Sequence, residues 1–171
     1  MKKIIISFIA ISAFSTSLFA SSFATLGAGY SKGDNGGDML TGFGELKVIG
    51  DIGVRLEYTK NITEHSELSN EDIARYGLYA TYTLPLTDTF SITPKAGLNR
   101  TNGKFTVKNT AETLSDDSTN FTYGLELNYN YNSNISFYTG YTDYAGDIKL
   151  NNFDASKLDN ANYTIGVKMH L

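Results

Sequence analysis

Apolar and polar side chains alternate along most of this chain with a period of two. The pattern is most regular over residues 160–171, NANYTIGVKMHL. There Ala161, Tyr163, Ile165, Val167, Met169 and Leu171 alternate with Asn162, Thr164, Gly166, Lys168 and His170. A strand with one apolar and one polar face has this period. The same alternation recurs at 23–31, 40–48, 52–59, 74–84, 90–99, 121–129 and 135–144, so eight strands are predicted. Two positions depart from it. Phe43 falls on the polar face of the second strand. Pro94 falls on the apolar face of the fifth, where its missing N–H predicts a local bulge.

The connections carry a second pattern. Those after strands two, four and six are short, at 49–51, 85–89 and 132–134. Those after strands one, three, five and seven are longer and polar, at 32–38, 60–71, 102–118 and 145–159. Alternating short and long connections between an even number of strands of about ten residues is the plan of a transmembrane barrel. Both chain ends then lie on the short-turn side.

Alternation alone fits two barrels, a soluble lipocalin-like one with its apolar face inside and a membrane one with that face outside. The charges separate them. Glu45, Lys47, Arg55, Glu57, Arg75, Lys95, Glu126 and Lys168 all lie on the polar faces, at or near mid-strand. In a membrane barrel they must point inward and pair, because Lys or Arg on the lipid face costs about 2–4 kcal/mol at the midplane. The polar faces also carry many glycines, which suits a crowded interior. Tyr30, Tyr58, Tyr82, Phe90, Tyr129, Phe137 and Tyr163 lie on the apolar faces, mostly toward strand ends, as interfacial girdles do. The expected fold is all-β, an eight-stranded antiparallel up-and-down transmembrane β-barrel.

On this topology and its final strand, the chain resembles the small eight-stranded outer-membrane β-barrel proteins of the OmpA/OmpX type. More broadly it is similar to the opacity and Ail-like surface proteins. The resemblance spans residues 21–171. It implies that Tyr163, Ile165, Gly166, Val167, Met169 and Leu171 form a C-terminal assembly signal for the barrel-assembly machinery. In that family the last residue is usually Phe or Trp, and here it is Leu171. It also implies the outer membrane of a Gram-negative bacterium, contact with lipid and lipopolysaccharide, a monomeric state, and loops that meet a host or cell-surface ligand. No separate periplasmic module is expected after the last strand.

Composition adds the compartment. Met1-Lys2-Lys3 is a short basic region, residues 4–14 are an apolar run, and Phe19-Ala20-Ser21 closes a signal peptide. Cleavage is expected after Ala20, with Ala24 as the alternative. The run falls short of the roughly 20 residues that a helical anchor needs. Loss of Lys2 and Lys3 takes the formal charge from −4 to −6, which argues against nucleic acid as a partner. The chain has no cysteine, so its fold is independent of disulfides, and only two prolines among 171 residues.

Candidate chemistry is sparse. The histidines are His65 and His170. His65-Ser66-Glu67 lies in a predicted loop, and adjacency there does not place a nucleophile on a base. Two isolated histidines offer no metal-ligand spacing. The loop acids, Asp34 to Asp159, match no calcium-loop pattern, and GDNGGD lacks the Lys of a phosphate-binding loop. No cofactor or metal is expected. The first functional expectation is a non-enzymatic surface protein with a filled interior and interacting loops. The alternatives are a narrow channel and a lipid A-modifying enzyme.

Overall fold

The structure is a computed structural model. It describes residues 23–33, 37–63, 68–107, 113–144 and 161–171, with side chains omitted at 68–72, 104–107 and 113–116. The expected signal peptide, the His65-Ser66-Glu67 triplet and the loop acids Asp34, Glu64, Asp147, Asp154 and Asp159 lie outside the described residues.

The strands are β1 (Ala24–Gly33), β2 (Asp38–Ile49), β3 (Ile52–Asn61), β4 (Leu68–Tyr82), β5 (Leu84–Pro85), β6 (Phe90–Val107), β7 (Thr113–Asn130), β8 (Ile135–Asp143) and β9 (Ala161–His170). Apart from β4 and β5, which do not pair with each other, each pairs antiparallel with its neighbours in sequence. β1 also pairs with β9, from Thr25↔His170 to Gly33↔Asn162, and β4 pairs with β6. These two pairings close the sheet. β4 and β5 are one strand interrupted opposite Pro94. Thr81 faces Lys95, Leu84 faces Ile92, and the register is the same on both sides of the gap. Eight strands therefore form the barrel.

Pro94 does not create a bulge. It pairs with Leu125 in an unbroken β6–β7 register, and the effect of its missing N–H is the interruption on the β4–β5 side. The shift near the β2–β3 hairpin falls instead between Lys47 and Ile49. That hairpin turns on Gly50, whose φ of +56° suits a residue without Cβ.

The molecule is inverted relative to a soluble domain. Large apolar side chains such as Leu56, Leu78, Leu98, Leu125 and Ile165 cover the outside, and Leu56 is 66% exposed. Arg55, Glu57, Thr93, Lys95 and Glu126 are buried within. An outer surface of this kind is stable only in an apolar solvent, which is the bilayer. Aromatic pairs bracket the apolar band. Phe90–Tyr129 lies toward the short turns, at 5.4 Å between ring centroids. Tyr58–Tyr76 (5.1 Å) and Tyr141–Tyr163 (5.4 Å) lie toward the opposite end.

Two expected loops are partly strand. Residues 60–71 include the start of β4, and residues 102–118 include the upper parts of β6 and β7. β6 and β7 stay paired from Phe90↔Tyr129 to Thr106↔Thr113. β8 joins β7 only from Tyr123↔Asp143 downward, and β3 leaves β4 above Lys60↔Ala74. A three-stranded sheet, β4–β6–β7, thus rises above the barrel. From Asn102 to Val107 it reaches about 17 Å along the strand, at about 3.3 Å per residue.

Candidate functional site

The barrel interior is organised around Arg55 on β3. Alternation points it inward, and it is 1% exposed. Its Nε donates to Glu45 Oε2 on β2 at 2.8 Å, and its Nη2 donates to Glu126 Oε2 on β7 at 3.0 Å. Nη1 pairs with Glu126 Oε1, and Glu57 Oε2 lies 3.7 Å from the same nitrogen. Lys95 on β6 donates to both oxygens of Glu57, at 3.0 and 2.8 Å. Lys168 on β9 donates to Glu126 Oε2 at 2.7 Å and to Asn128 Oδ1 at 2.6 Å. Three cations thus face three carboxylates. Mutual neutralisation is what makes such burial tolerable, since each ion alone would carry a desolvation cost of several kcal/mol.

Aromatic rings complete the plug. The guanidinium of Arg55 lies 4.0 Å from the centre of the Phe43 ring. Lys168 Nζ is 5.0 Å from the Tyr138 ring, and Lys95 Nζ is 4.9 Å from that of Tyr79. Phe43 therefore does not break its strand. It faces inward, 6% exposed, and covers the charged hub. Glycine makes room for it: a Cβ on Gly27 would lie 2.1 Å from Phe43 Cζ. Gly166 serves Tyr138 in the same way, at 2.6 Å from Cε1.

Above the plug, hydroxyls link four strands. Ser31 Oγ lies 2.8 Å from Thr164 Oγ1 and 3.1 Å from Thr41 Oγ1, which is 3.0 Å from Thr59 Oγ1. Higher still, Arg75 Nη1 donates to Met39 Sδ at 3.1 Å and the guanidinium packs on the Tyr144 ring at 4.5 Å. Below the plug, a cavity of about 540 Å³ opens among the short turns, bordered by Lys47, Lys168, Glu45 and His170.

Of the residues singled out in the sequence, Glu45, Arg55, Glu57, Lys95, Glu126 and Lys168 meet in one cluster. Arg75 belongs to the layer above, and Lys47 stands at the lower mouth. Tyr163, Ile165, Val167 and Met169 face outward on β9 and are exposed, while Gly166 faces inward. Leu171 N donates to Ala24 O at 2.8 Å, extending the β1–β9 seam by one bond. Sequence reasoning missed the rings that pack on the cations. Their signal was an aromatic residue at inward parity, as at Phe43, Tyr79 and Tyr138. Among the described residues, no group of three or more His, Cys, Asp or Glu could hold a metal ion.

Comparison with known proteins agrees with this geometry. Residues 5–170 match the family described as outer membrane protein beta-barrel domain. No curated protein matches the sequence. Among solved structures, the N-terminal β-barrel domain of OprF from Pseudomonas aeruginosa is similar, with a TM-score of 0.67 and 15% identity. That match covers 86% of this chain and 96% of the other. Ail, the attachment invasion locus protein of Yersinia pestis, matches at 0.54 and 19% identity, with 86% and 96% covered. Neisserial surface protein A matches at 0.55 and 14% identity, with 90% and 100% covered. At these identities the likeness establishes the fold. With a barrel closed by β1 and β9, a polar core, an apolar exterior and a family match over nearly its whole length, this chain belongs to the outer-membrane protein β-barrel domain family and is an outer-membrane protein.

Proposed function

We propose that this protein is a non-enzymatic surface barrel whose β4–β6–β7 sheet contacts a ligand on a host or neighbouring cell, while the barrel body contributes to envelope integrity. The observation that carries this reading is the open edge of the sheet. Among the described residues, nothing pairs with β7 from Thr113 to Thr122 on the side away from β6. An edge of this kind offers backbone donors and acceptors to an added strand. In outer-membrane barrels the long connections are extracellular, so the sheet stands outside the cell. Likeness to a protein named for attachment and invasion supports a contact role.

The plug favours this reading over conduction. Arg55, Lys95, Lys168 and their carboxylates, with Phe43, Tyr79 and Tyr138, fill the lumen across its width. Residues 1–20 are the cleaved signal peptide in this proposal. The β9 face Tyr163, Ile165, Val167, Met169 and Leu171, with Gly166, is what the barrel-assembly machinery reads. Lipid and lipopolysaccharide surround a monomer.

Replacing residues 102–118 with an Asn-Gly turn tests the contact role. The heat-dependent gel shift of a folded barrel should persist while cell attachment is lost. Attachment that survives the replacement overturns the proposal. Planar-bilayer recordings should be silent. Discrete steps whose selectivity changes in Lys95→Glu would establish the channel instead.

A further inference from the structure

We propose that the cavity at the periplasmic mouth is a binding site for a neutral sugar ring, such as the end of a periplasmic glycan. Its volume of about 540 Å³ lies within the range of small-molecule sites, about 300–1,000 Å³. Its walls are strand ends held by their own hydrogen bonds. His170 sits between two hydroxyls, with Nδ1 3.0 Å from Thr25 Oγ1 and Nε2 2.8 Å from Ser136 Oγ. Ser136 in turn donates to Asn130 Oδ1 at 2.8 Å. In the roof, Asn128 Nδ2 donates to Thr93 Oγ1 at 3.0 Å and Asn128 Oδ1 accepts from Lys168. A polar site fixed before its ligand arrives spends little on ordering.

The chemistry of the lining selects the ligand class. Each hydroxyl of a sugar both donates and accepts, and this cavity is lined by hydroxyl and amide side chains, which together do both, while the His170 imidazole holds Thr25 and Ser136 in place. Its charges are of mixed sign: Lys47 and Lys168 stand against Glu45, Asp51 and Asp88. Glu45 and Lys168 are already engaged by the plug. An anion such as phosphate would meet the carboxylates, and a polyamine would meet the lysines. Asp51 and Asp88 belong to the short turns, where a carboxylate can accept from two adjacent hydroxyls. Tyr131 stands at the lip, 65% exposed, and its ring meets Phe137 edge-on at 6.4 Å. Its free face is available to the C–H side of a sugar ring.

The test is amide NMR of the refolded full barrel in a detergent without a sugar headgroup, titrated with N,N′-diacetylchitobiose and, separately, with maltose. Saturable shifts at Asn128, Asn130, Ser136 and His170, with β6 and β7 above Leu98 unmoved, are expected. Tyr131→Ala should weaken binding about fivefold through loss of the aromatic face. Asp88→Asn, in a solvent-exposed turn, should weaken it with the barrel intact by gel shift. Preference for the N-acetylated disaccharide identifies cell-wall glycan as the source, and equal binding identifies neutral oligosaccharide generally. Absence of saturable shifts with both sugars, or shifts unaffected by both substitutions, overturns the assignment.

Discussion

β6 and β7 each run through two different environments. Below Leu98↔Phe121 they lie in the barrel wall, paired on both sides, with Leu125 and Leu127 outward and Lys95 and Glu126 in the ionic plug. Above that row they are paired with each other, β7 lacks a second neighbour among the described residues, and the described positions that continue the outward row, Arg100, Asn102, Asp117 and Thr119, are polar. Backbone pairing is continuous across the boundary while the hydrophobic pattern stops there. Alternation therefore reports where a strand meets lipid, and it is silent on where the strand ends.

The sharpest way to break this comparison is to unbalance the plug. Arg55→Ala leaves Glu45 and Glu126 facing one another without their shared cation. It should cost about 3–5 kcal/mol, the range for breaking a buried ion pair, read from urea unfolding in micelles. Loss of Glu57 leaves Lys95 with Glu126, 4.0 Å away, as its carboxylate partner among the described residues, so Glu57→Ala should act in the same direction with a smaller effect. An unchanged midpoint in Arg55→Ala would mean the cluster is not what holds the body together.

The outer face comes next. Leu56→Arg puts a cation in the apolar band and should destabilise by about 2–4 kcal/mol. Asn102→Arg, outward on the projecting part of β6, should stay within about 0.5 kcal/mol of the parent, as surface changes usually do. Equal effects at the two positions would place the membrane boundary elsewhere.

The smallest effect is expected at the Arg100–Asp117 pair, which is exposed at the base of the projecting sheet with Nε to Oδ1 at 2.9 Å. The hydrogen bond from Arg100 holds the Asp117 carboxyl below the usual carboxylate range. A carboxyl depressed in the folded state stabilises above its unfolded pKa, about 3.9, and that contribution is lost as pH falls through the folded value. Amide exchange on the upper part of β7 should therefore quicken only in acid, below about pH 4, and moderate salt should mask the change. Asp117→Asn should remove the pH dependence without moving the gel shift.

The eight strands, the barrel and its inverted polarity were legible because a membrane strand writes its two environments into successive residues. Leu56 beside Arg55 and Leu125 beside Glu126 give the facing directly. Phe43 and Pro94 depart from the alternation for a common reason that lies in neighbouring strands: Phe43, on the polar face as its position predicts, is accommodated by Gly27 on β1, and Pro94, in place of the expected bulge, interrupts the ladder toward β4 and β5. The projecting sheet was misread as loop because, above the bilayer, neither face needs to be apolar.

By itself the sequence determined which side chains face lipid and which face inward, since that requires only a period of two and the cost of placing charge in hydrocarbon. It also determined that inward charges of both signs, five cations and three carboxylates, are available to pair. Only the tertiary structure decided which charges meet, because partners such as Arg55 and Glu126 lie 71 residues apart and come together through barrel closure and strand stagger. The same closure set Arg75 above the cluster and Lys47 below it, and brought Thr25, Ser136 and His170 together around the periplasmic mouth. Parity fixes a direction, while the depth and the neighbour come from register.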